Sequence, residues 1–428
     1  MCVPDILDGR KVRPDPVVRA KNEAKRHFCE AHDGYDEFCD ESQLDDPLTP
    51  APLYNKSLEG NPIFQVPLLI IAGLSHNSLR VCLETVLRQP GIQVERVLVA
   101  YDENYPESEA LAKLFGVKRT ALKASSIYSD QVSKALEVLW TEFPDSQYVM
   151  VLEEDLMLTV DFLQYMSQAL NVLEKDNTLF AASAWNDNGF AVTSSLADVV
   201  YRVESFPGMG FMLPKRVYQN YMQGKMEKCC RKRIWEGWVL ENGTASPEIL
   251  VPDLSRIYRR HAEGLGMIPP HIEDLFHRRR AYNRDTSAWI TNLHNVPKAA
   301  YDQYLQKLIA RAESLDPERF QNCPSPVSAP SGTGDSNAFE VPTFGGTRRV
   351  FVLYYEDYDD DHVIRRLCHC FGLYSSPGHP PRGLYRHSLR FSYRNHSIVL
   401  VGSRSPFYGQ KPAHLSPVSV SQMSDVPS

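Results

Sequence analysis

Long apolar runs are missing from this sequence. No stretch of about 18 consecutive apolar residues occurs, so no segment reads as a membrane-spanning helix. The first residues, Met1-Cys2-Val3-Pro4-Asp5, do not lead from a basic region into an apolar one, so they do not read as a secretory signal. Excess positive charge is missing too: the formal net charge is -7, which leaves no basic footprint for a nucleic-acid partner. No GxGxxG follows the first predicted strand, where Gly73 stands alone, and no GxxxxGK[ST] occurs anywhere. The two commonest phosphate-cradling loops are therefore excluded, and any nucleotide must be held differently. Cys229-Cys230 and Cys368-x-Cys370 lack the paired CxxC spacing of a structural zinc site. No internal repeat is present.

What remains is the composition of a mostly globular chain, 43% hydrophobic and 23% charged, with 428 residues, enough for two or three domains. Nine cysteines leave at least one thiol unpaired within the chain. Cys29 and Cys39 bracket a short polar loop and are one candidate pair; Cys323 and Cys368, flanking a linker, are another. Asn55, Asn242 and Asn395 each begin an N-glycosylation sequon, individually a weak signal.

Along the chain, residues 1–64 are polar and proline-rich and read as an extended leading segment. An alternating pattern follows. Val66–Gly73 reads as a strand, Ser78–Leu87 as a helix, Val94–Ala100 as a strand, and Pro106–Phe115 and Ser129–Phe143 as helices. Tyr148-Val149-Met150-Val151-Leu152 then runs straight into Glu153-Glu154-Asp155. The apolar run predicts a buried strand of a parallel sheet. Its end is where open α/β sheets place ligands. Three adjacent acids repel one another and favour a nearby cation, although a solvated acidic turn is the plain alternative. Val160–Leu173 reads as a helix and Thr178–Trp185 as a strand. Short strand–helix units of this kind predict an α/β fold with a mostly parallel sheet between helices.

Several single residues stand out, each with an ordinary structural alternative. Asp102 ends the second strand and, alone, is a turn or cap residue. Asp187, in Asn186-Asp187-Asn188-Gly189, is by default a turn former. Gly208 lies in Ser205-Phe206-Pro207-Gly208-Met209-Gly210-Phe211, a loop suited to close backbone approach or simply a tight turn. Glu236 sits between Trp235 and Trp238, where partial desolvation raises a carboxylate pKa, although paired tryptophans commonly just pack. Arg256, Arg259, Arg260 and His261 form either an anion clamp or a solvated basic loop. Residues 322–346 have linker composition, Arg349–Tyr355 and Ser397–Gly402 read as strands around a helix at Asp361–Cys370, and the tail from Gly409 reads as disordered.

Together the motifs Val151-Leu152-Glu153-Glu154-Asp155-Leu156, Ser183-Ala184-Trp185-Asn186-Asp187-Asn188-Gly189, Tyr201-Arg202-Val203-Glu204, Phe206-Pro207-Gly208-Met209-Gly210 and Val251-Pro252-Asp253-Leu254-Ser255-Arg256 resemble the inverting β-1,2-N-acetylglucosaminyltransferases of GT-A fold. Arg382-Gly383-Leu384-Tyr385-Arg386 and Ser405-Pro406-Phe407-Tyr408 favour the branch acting on O-linked mannose over the N-glycan branch. The resemblance covers roughly residues 26–415.

It implies a GT-A-type (Rossmann-like) catalytic domain at 65–315, preceded by a stem remnant at 1–64 and followed by a linker at 316–346, a small α+β module at 347–408 and a disordered tail at 409–428. It implies an enzyme that transfers GlcNAc from UDP-GlcNAc to an O-mannosylated glycoprotein in the Golgi lumen, with membrane attachment only through an anchor absent from this sequence. Asp155 becomes the Mn²⁺ ligand, Glu236 the catalytic base, and Asp102 the uridine contact. Glu153, Glu154, Asp187, Gly208 and Arg256 become donor or substrate contacts.

The sequence departs from the family at Ser75 (an arginine there), Gln131 (a histidine) and Glu236 (an aspartate). A family disulfide is replaced by Ala181 and Ile249. These departures keep open a degenerate module that binds glycan or nucleotide without chemistry.

Overall fold

The computed structural model describes residues 22–73, 76–125, 127–226, 247–260, 278–320, 348–358, 360–375 and 381–419. The chain divides into two compact units, at Thr49/Pro50 rather than the expected 64/65. In the first unit the expected extended conformation is interrupted by a helix, α1 (Glu23–Ala31), capped by the Asn22 side chain. Cys29 and Cys39 form the expected disulfide. It closes over the rings of Phe28, Tyr35 and Phe38, which pack edge to face or tilted.

The second unit carries an eight-stranded sheet in the order β3-β2-β1-β4-β8-β6-β9-β7. Its strands are β1 (Leu68–Ile71), β2 (Val97–Asp102), β3 (Lys118–Leu122), β4 (Tyr148–Glu153), β6 (Leu179–Ser183), β7 (Val200–Val203), β8 (Phe211–Pro214) and β9 (Glu248–Pro252). β1, β2, β3 and β4 are mutually parallel, and β6 pairs parallel with β9. β8 and β7 run the other way. The α/β class expected from the sequence is what the chain adopts, with a mixed rather than purely parallel sheet. β1 and the middle of β4 are buried throughout because helices cover both sheet faces. One of these helices, α4 (Tyr128–Glu142), presents Val132, Ala135, Leu136, Leu139 and Trp140 to the core, as their spacing predicted. Helices α2 (His76–Leu87), α3 (Pro106–Leu114) and α5 (Phe162–Lys175) complete the layers.

The two positions expected to stand in place of a cross-link, Ala181 and Ile249, meet in the structure. Ala181 and Ile249 are register partners across β6 and β9, 1% and 0% exposed. An apolar pair, not a cross-link, joins the two strands at this point.

A second sheet, β11-β12-β15-β14-β13, is built from β11 (Glu313–Ser314), β12 (Val350–Tyr355), β13 (Leu384–Tyr385), β14 (Ser388–Tyr393) and β15 (His396–Gly402). Helices α6 (Lys298–Ala310) and α7 (His362–Phe371) pack on it, contributing to two separate core clusters. Two expectations are corrected here. Cys368 is a free, buried thiol facing that core, and Cys370, nearer the surface, is the disulfide-bonded residue of α7; Cys323 lies outside the described residues. The tail is not disordered from Gly409. Val418 is fully buried, donates to Tyr354 O at 2.9 Å and accepts from the Glu356 amide at 2.8 Å, because the two-residue β11 ends opposite Val352 and leaves the end of β12 unpaired on that side.

Buried charge clusters tie these layers together. Arg202 on β7, fully buried, donates to Asp176 Oδ2 at 2.5 Å, Glu248 Oε2 at 2.8 Å, Thr178 Oγ1 at 2.6 Å and the Val296 carbonyl at 2.8 Å. Burial opposes ionisation of Asp176, but hydrogen bonds from Thr178 and Arg202 outweigh it and hold its pKa below the ordinary value. Arg202→Met would remove the buried guanidinium shared by two carboxylates, leaving Glu248 with Lys298 and Asp176 with its hydrogen bonds from Thr178 and the Lys298 amide; removing one partner of a buried pair typically costs about 3–5 kcal/mol. We expect a clear fall in thermal midpoint at neutral pH. Because the Asp176 pKa is depressed by folding, its contribution is present above the unfolded value and lost as pH falls through the folded one. The gap between wild type and variant should therefore narrow in acid, as melting curves at stepwise lower pH would show.

Candidate active site

The chain runs from β1 outward to β2 and β3, then returns to β4 on the opposite side of β1. That reversal leaves a crevice outside the carboxyl ends of β1 and β4. A cleft of about 390 Å³ lies there. It is lined by Ile71 at the end of β1 and Gly73 just beyond it, Asp102 from β2, Tyr128 and Gln131 from α4, Glu153, Glu154 and Asp155 from the end of β4, and Arg259. Four residues singled out in the sequence, Asp102, Glu153, Glu154 and Asp155, are thus brought together.

The acids form a wall, not a solvated turn. Glu154 is 5% and Asp155 8% exposed. The Glu154 amide donates to Ile71 O at 3.2 Å, which continues the pairing beyond the end of β4. A Cβ on Gly73 would lie 3.2 Å from Glu154 Oε1, so glycine leaves that carboxylate its space. Tyr128 donates its hydroxyl to Glu153 Oε1 at 2.6 Å. Enclosure of the hydroxyl, then the negative charge of Glu153, pushes the phenol pKa well up. Gln131 Nε2 donates to the Ala72 carbonyl at 3.0 Å. Asp102 lines the cleft while also making its default turn, accepting from the Asn104 amide at 2.9 Å.

Arg259 belongs to β10 (Ile257–Arg259), which pairs antiparallel with β5 (Leu156–Leu158). Its register partner is Leu156, next to Asp155 in sequence. Its Nε donates to Asp155 Oδ2 at 2.5 Å, and the Arg260 amide donates to the Asp155 carbonyl at 2.8 Å.

Other expected site residues lie elsewhere. Arg256 is not a cleft residue: it is fully buried, with Nε on Asp161 Oδ2 at 2.9 Å, Nη1 on the Leu254 carbonyl and Nη2 on the Ala197 carbonyl at 2.5 Å. Its guanidinium is committed to tying loops together, which corrects the anion-contact expectation. Asp187 and Gly208 are not part of this lining either. Asp187 accepts from Trp185 Nε1 at 3.0 Å and lies 3.9 Å from Arg382 of the second sheet region. Gly208 adopts a left-handed φ of 68°, a conformation that favours glycine. Glu236 and Ser75 lie outside the described residues. Tyr128 was not expected at the site, and Arg259 only as one member of a basic cluster. Arg259 had a signal in the basic cluster, whereas Tyr128 had none.

The expected cation at Asp155 can be weighed against these donors. Carboxylate oxygens suit a hard divalent ion. Among the described residues no group of three or more His, Cys, Asp or Glu side chains is arranged to hold a metal ion. The donor set therefore fits an ion bound through one or two carboxylates, with the rest of its shell from ligand phosphates and water. Asp155 and its neighbours would hold it, in competition with Arg259.

Beneath the acids lies Cys82 of α2, free and fully buried. Burial, then the charges of Asp155 and Glu154, pushes its thiol pKa far above the usual value. We expect Cys82 to resist iodoacetamide in the native protein at pH 8 and to react on unfolding in urea, as peptide mass spectrometry would show. Native alkylation would mean that this side of the cleft opens.

With the geometry established, similarity can be stated. Residues 130–322 match the model of the GNT-I family. Over 172 residues the chain is 28% identical to an α-1,3-mannosyl-glycoprotein 2-β-N-acetylglucosaminyltransferase from Arabidopsis thaliana, covering 39% of this chain and 36% of that protein. The chain thus matches about a third of the length of that relative. Among solved structures it is similar to GalNAc-T7 with UDP, GalNAc and Mn²⁺, at 12% identity and a TM-score of 0.35 over 48% of this chain and 45% of that one. It is also similar to a cytidylyltransferase from Leptospira borgpetersenii, at 16% identity and a TM-score of 0.28 over 41% and 68%.

Proposed function

We propose that this chain is an inverting GT-A-type glycosyltransferase that moves N-acetylglucosamine from UDP-GlcNAc in β-1,2 linkage to a mannose of a glycoprotein. The observation that carries the reading is the convergence of Asp102 with Glu153, Glu154 and Asp155 in one cleft at the sheet's switch point. The GNT-I family match, which begins in α4 and spans the acidic strand end, supports it.

In this reading Asp102 contacts the uridine, and Glu153, held by Tyr128, faces the donor together with Glu154. Asp155 would hold a Mn²⁺ ion, whose chemistry when bound would be to neutralise charge on the diphosphate leaving group. Glu236 takes the proton of the mannose 2-hydroxyl. The oxygen attacks the anomeric carbon as its bond to UDP breaks, which inverts the configuration. Asp187 and Gly208 complete the substrate surroundings, and residence in the Golgi lumen follows from the same reading.

For the acceptor, the C-terminal motifs Arg382–Arg386 and Ser405–Tyr408 support O-linked mannose. A second reading, transfer to an N-glycan mannose, is supported by the name of the Arabidopsis relative. A degenerate binding module is the reading that Ser75, Gln131 and Glu236 favour.

The deciding assay measures UDP release from UDP-GlcNAc with Mn²⁺ and either a mannosyl peptide or a mannose-terminated N-glycan. We expect turnover with the mannosyl peptide. Turnover only with the N-glycan selects the second reading, and none with folded protein selects the third. Glu236→Gln should lower the rate by about 10²- to 10⁴-fold, the usual contribution of a general base. UDP binding by calorimetry should be unchanged, and an undiminished rate would remove Glu236 from the mechanism.

A further inference from the structure

Tyr128 is the one aromatic ring among the described residues that line the cleft, and the proposed reaction makes no use of its face. The side chain is 38% exposed. An exposed aromatic ring inside a crevice is a surface that a flat ligand can cover. The fold sets where that surface stands. Tyr128 opens α4, a helix that packs against β1, β2 and β3. Three residues on, Gln131 bonds the Ala72 carbonyl just beyond β1 at 3.0 Å, so the first turn of α4 stands over the end of that strand.

The sheet order then grades the cleft. β2 lies on one side of β1 and β4 on the other, which puts Asp102 towards one end and Asp155 towards the other. Arg259, the one cationic side chain among the described lining residues, is at the Asp155 end. An anionic diphosphate is drawn to that end, where the proposed cation would also sit. The Asp102 end offers a carboxylate and an aromatic face, with no cation among the described lining residues. That surface suits an uncharged flat ring carrying an N–H donor.

We propose that the ring face of Tyr128 is the stacking platform for the uracil base of the donor, with Asp102 accepting from the base. This deepens the proposed transferase reading and rests on it for the identity of the nucleotide. The two residues divide the work. Stacking acts on any flat base, because every base has a π-face, whereas a hydrogen bond to Asp102 depends on which edge the base presents. Stacking needs the ring and not the hydroxyl, so it is separable from the bond that Tyr128 makes to Glu153. Tyr128 binds the donor in this scheme; it moves no proton and breaks no bond.

The test measures binding of UDP and of inorganic diphosphate to the full chain by calorimetry, each with Mn²⁺. Tyr128→Leu should weaken UDP by about 5- to 100-fold, the usual worth of stacking one base on an aromatic ring. Its affinity for inorganic diphosphate, which has no base, should stay at the wild-type value. Tyr128→Phe should recover most of the UDP affinity. Proton resonance with Mg²⁺ gives a second readout: the uracil H5 and H6 signals should move upfield on binding to wild type and Tyr128→Phe, and not on binding to Tyr128→Leu. Equal UDP affinity in wild type and Tyr128→Leu would overturn the platform and leave the transferase reading standing. A parallel loss of inorganic diphosphate, or no recovery in Tyr128→Phe, would also overturn it, since the acidic wall or the hydroxyl would then carry the effect. Failure of folded wild type to bind UDP would overturn the transferase reading and the platform with it.

Discussion

Crowding of negative charge at the carboxyl ends of β2 and β4 is the constraint from which the site follows. Asp102, Glu153, Glu154 and Asp155 share one cleft, and two of them are almost wholly buried. Such a cluster persists only if surrounding groups answer its charge. Tyr128 does so for Glu153 by donating a hydrogen bond, and Arg259 does so for Asp155 by ion pairing. Both come from rigid elements, the first turn of α4 and the strand β10, so the answer is built into the backbone.

The rest of the second unit supports that edge through buried polar clusters. Asp253, in the loop after β9, accepts from the Tyr201 hydroxyl at 2.5 Å, the Ser195 and Leu196 amides at 2.8 and 2.7 Å, and Ser392 Oγ at 2.9 Å. Ser392 lies on β14, so this carboxylate joins the large sheet to the small one. Asn188 does the same, donating to the Arg382 carbonyl at 2.9 Å and accepting from the Tyr374 amide at 3.0 Å. Arg280 lies with its guanidinium 3.8 Å from the Trp185 ring centre, and burial lowers its pKa to about 9. Conspicuous sequence motifs such as Ser-Ala-Trp-Asn-Asp-Asn-Gly and Pro-Asp-Leu-Ser-Arg are thus largely framework. They hold the second sheet region against the first through hydrogen bonds from buried groups such as Asp253 and Asn188.

Legibility followed burial pattern. β1, β2 and β4 are apolar on both faces and could be read directly. The edge strand β3, Lys-Arg-Thr-Ala-Leu, is mostly exposed and carries no apolar signal, so it was missed. β7, β8 and β9 are short and lie among turns, and the reversed direction of β7 and β8 came from pairing rather than pattern. The arginine assignment failed for a related reason. Arg256 and Arg259 lie three residues apart in one basic stretch, and only the pairing of β10 with β5 shows that the first is buried on Asp161 and the second reaches Asp155.

The α/β class and the acidic strand end were already legible in the residues, because both depend on local alternation of apolar and charged residues. The sequence also offered Cys29–Cys39 as a candidate pair, close along the chain, which the structure bonds. Tertiary structure alone decided which acids share a cleft, which arginine answers them, and that Val418 completes a sheet edge. Those facts join residues scores of positions apart. Asp155 and Arg259 meet because strand pairing brings β10 back beside β5, and no local pattern in either segment specifies that return.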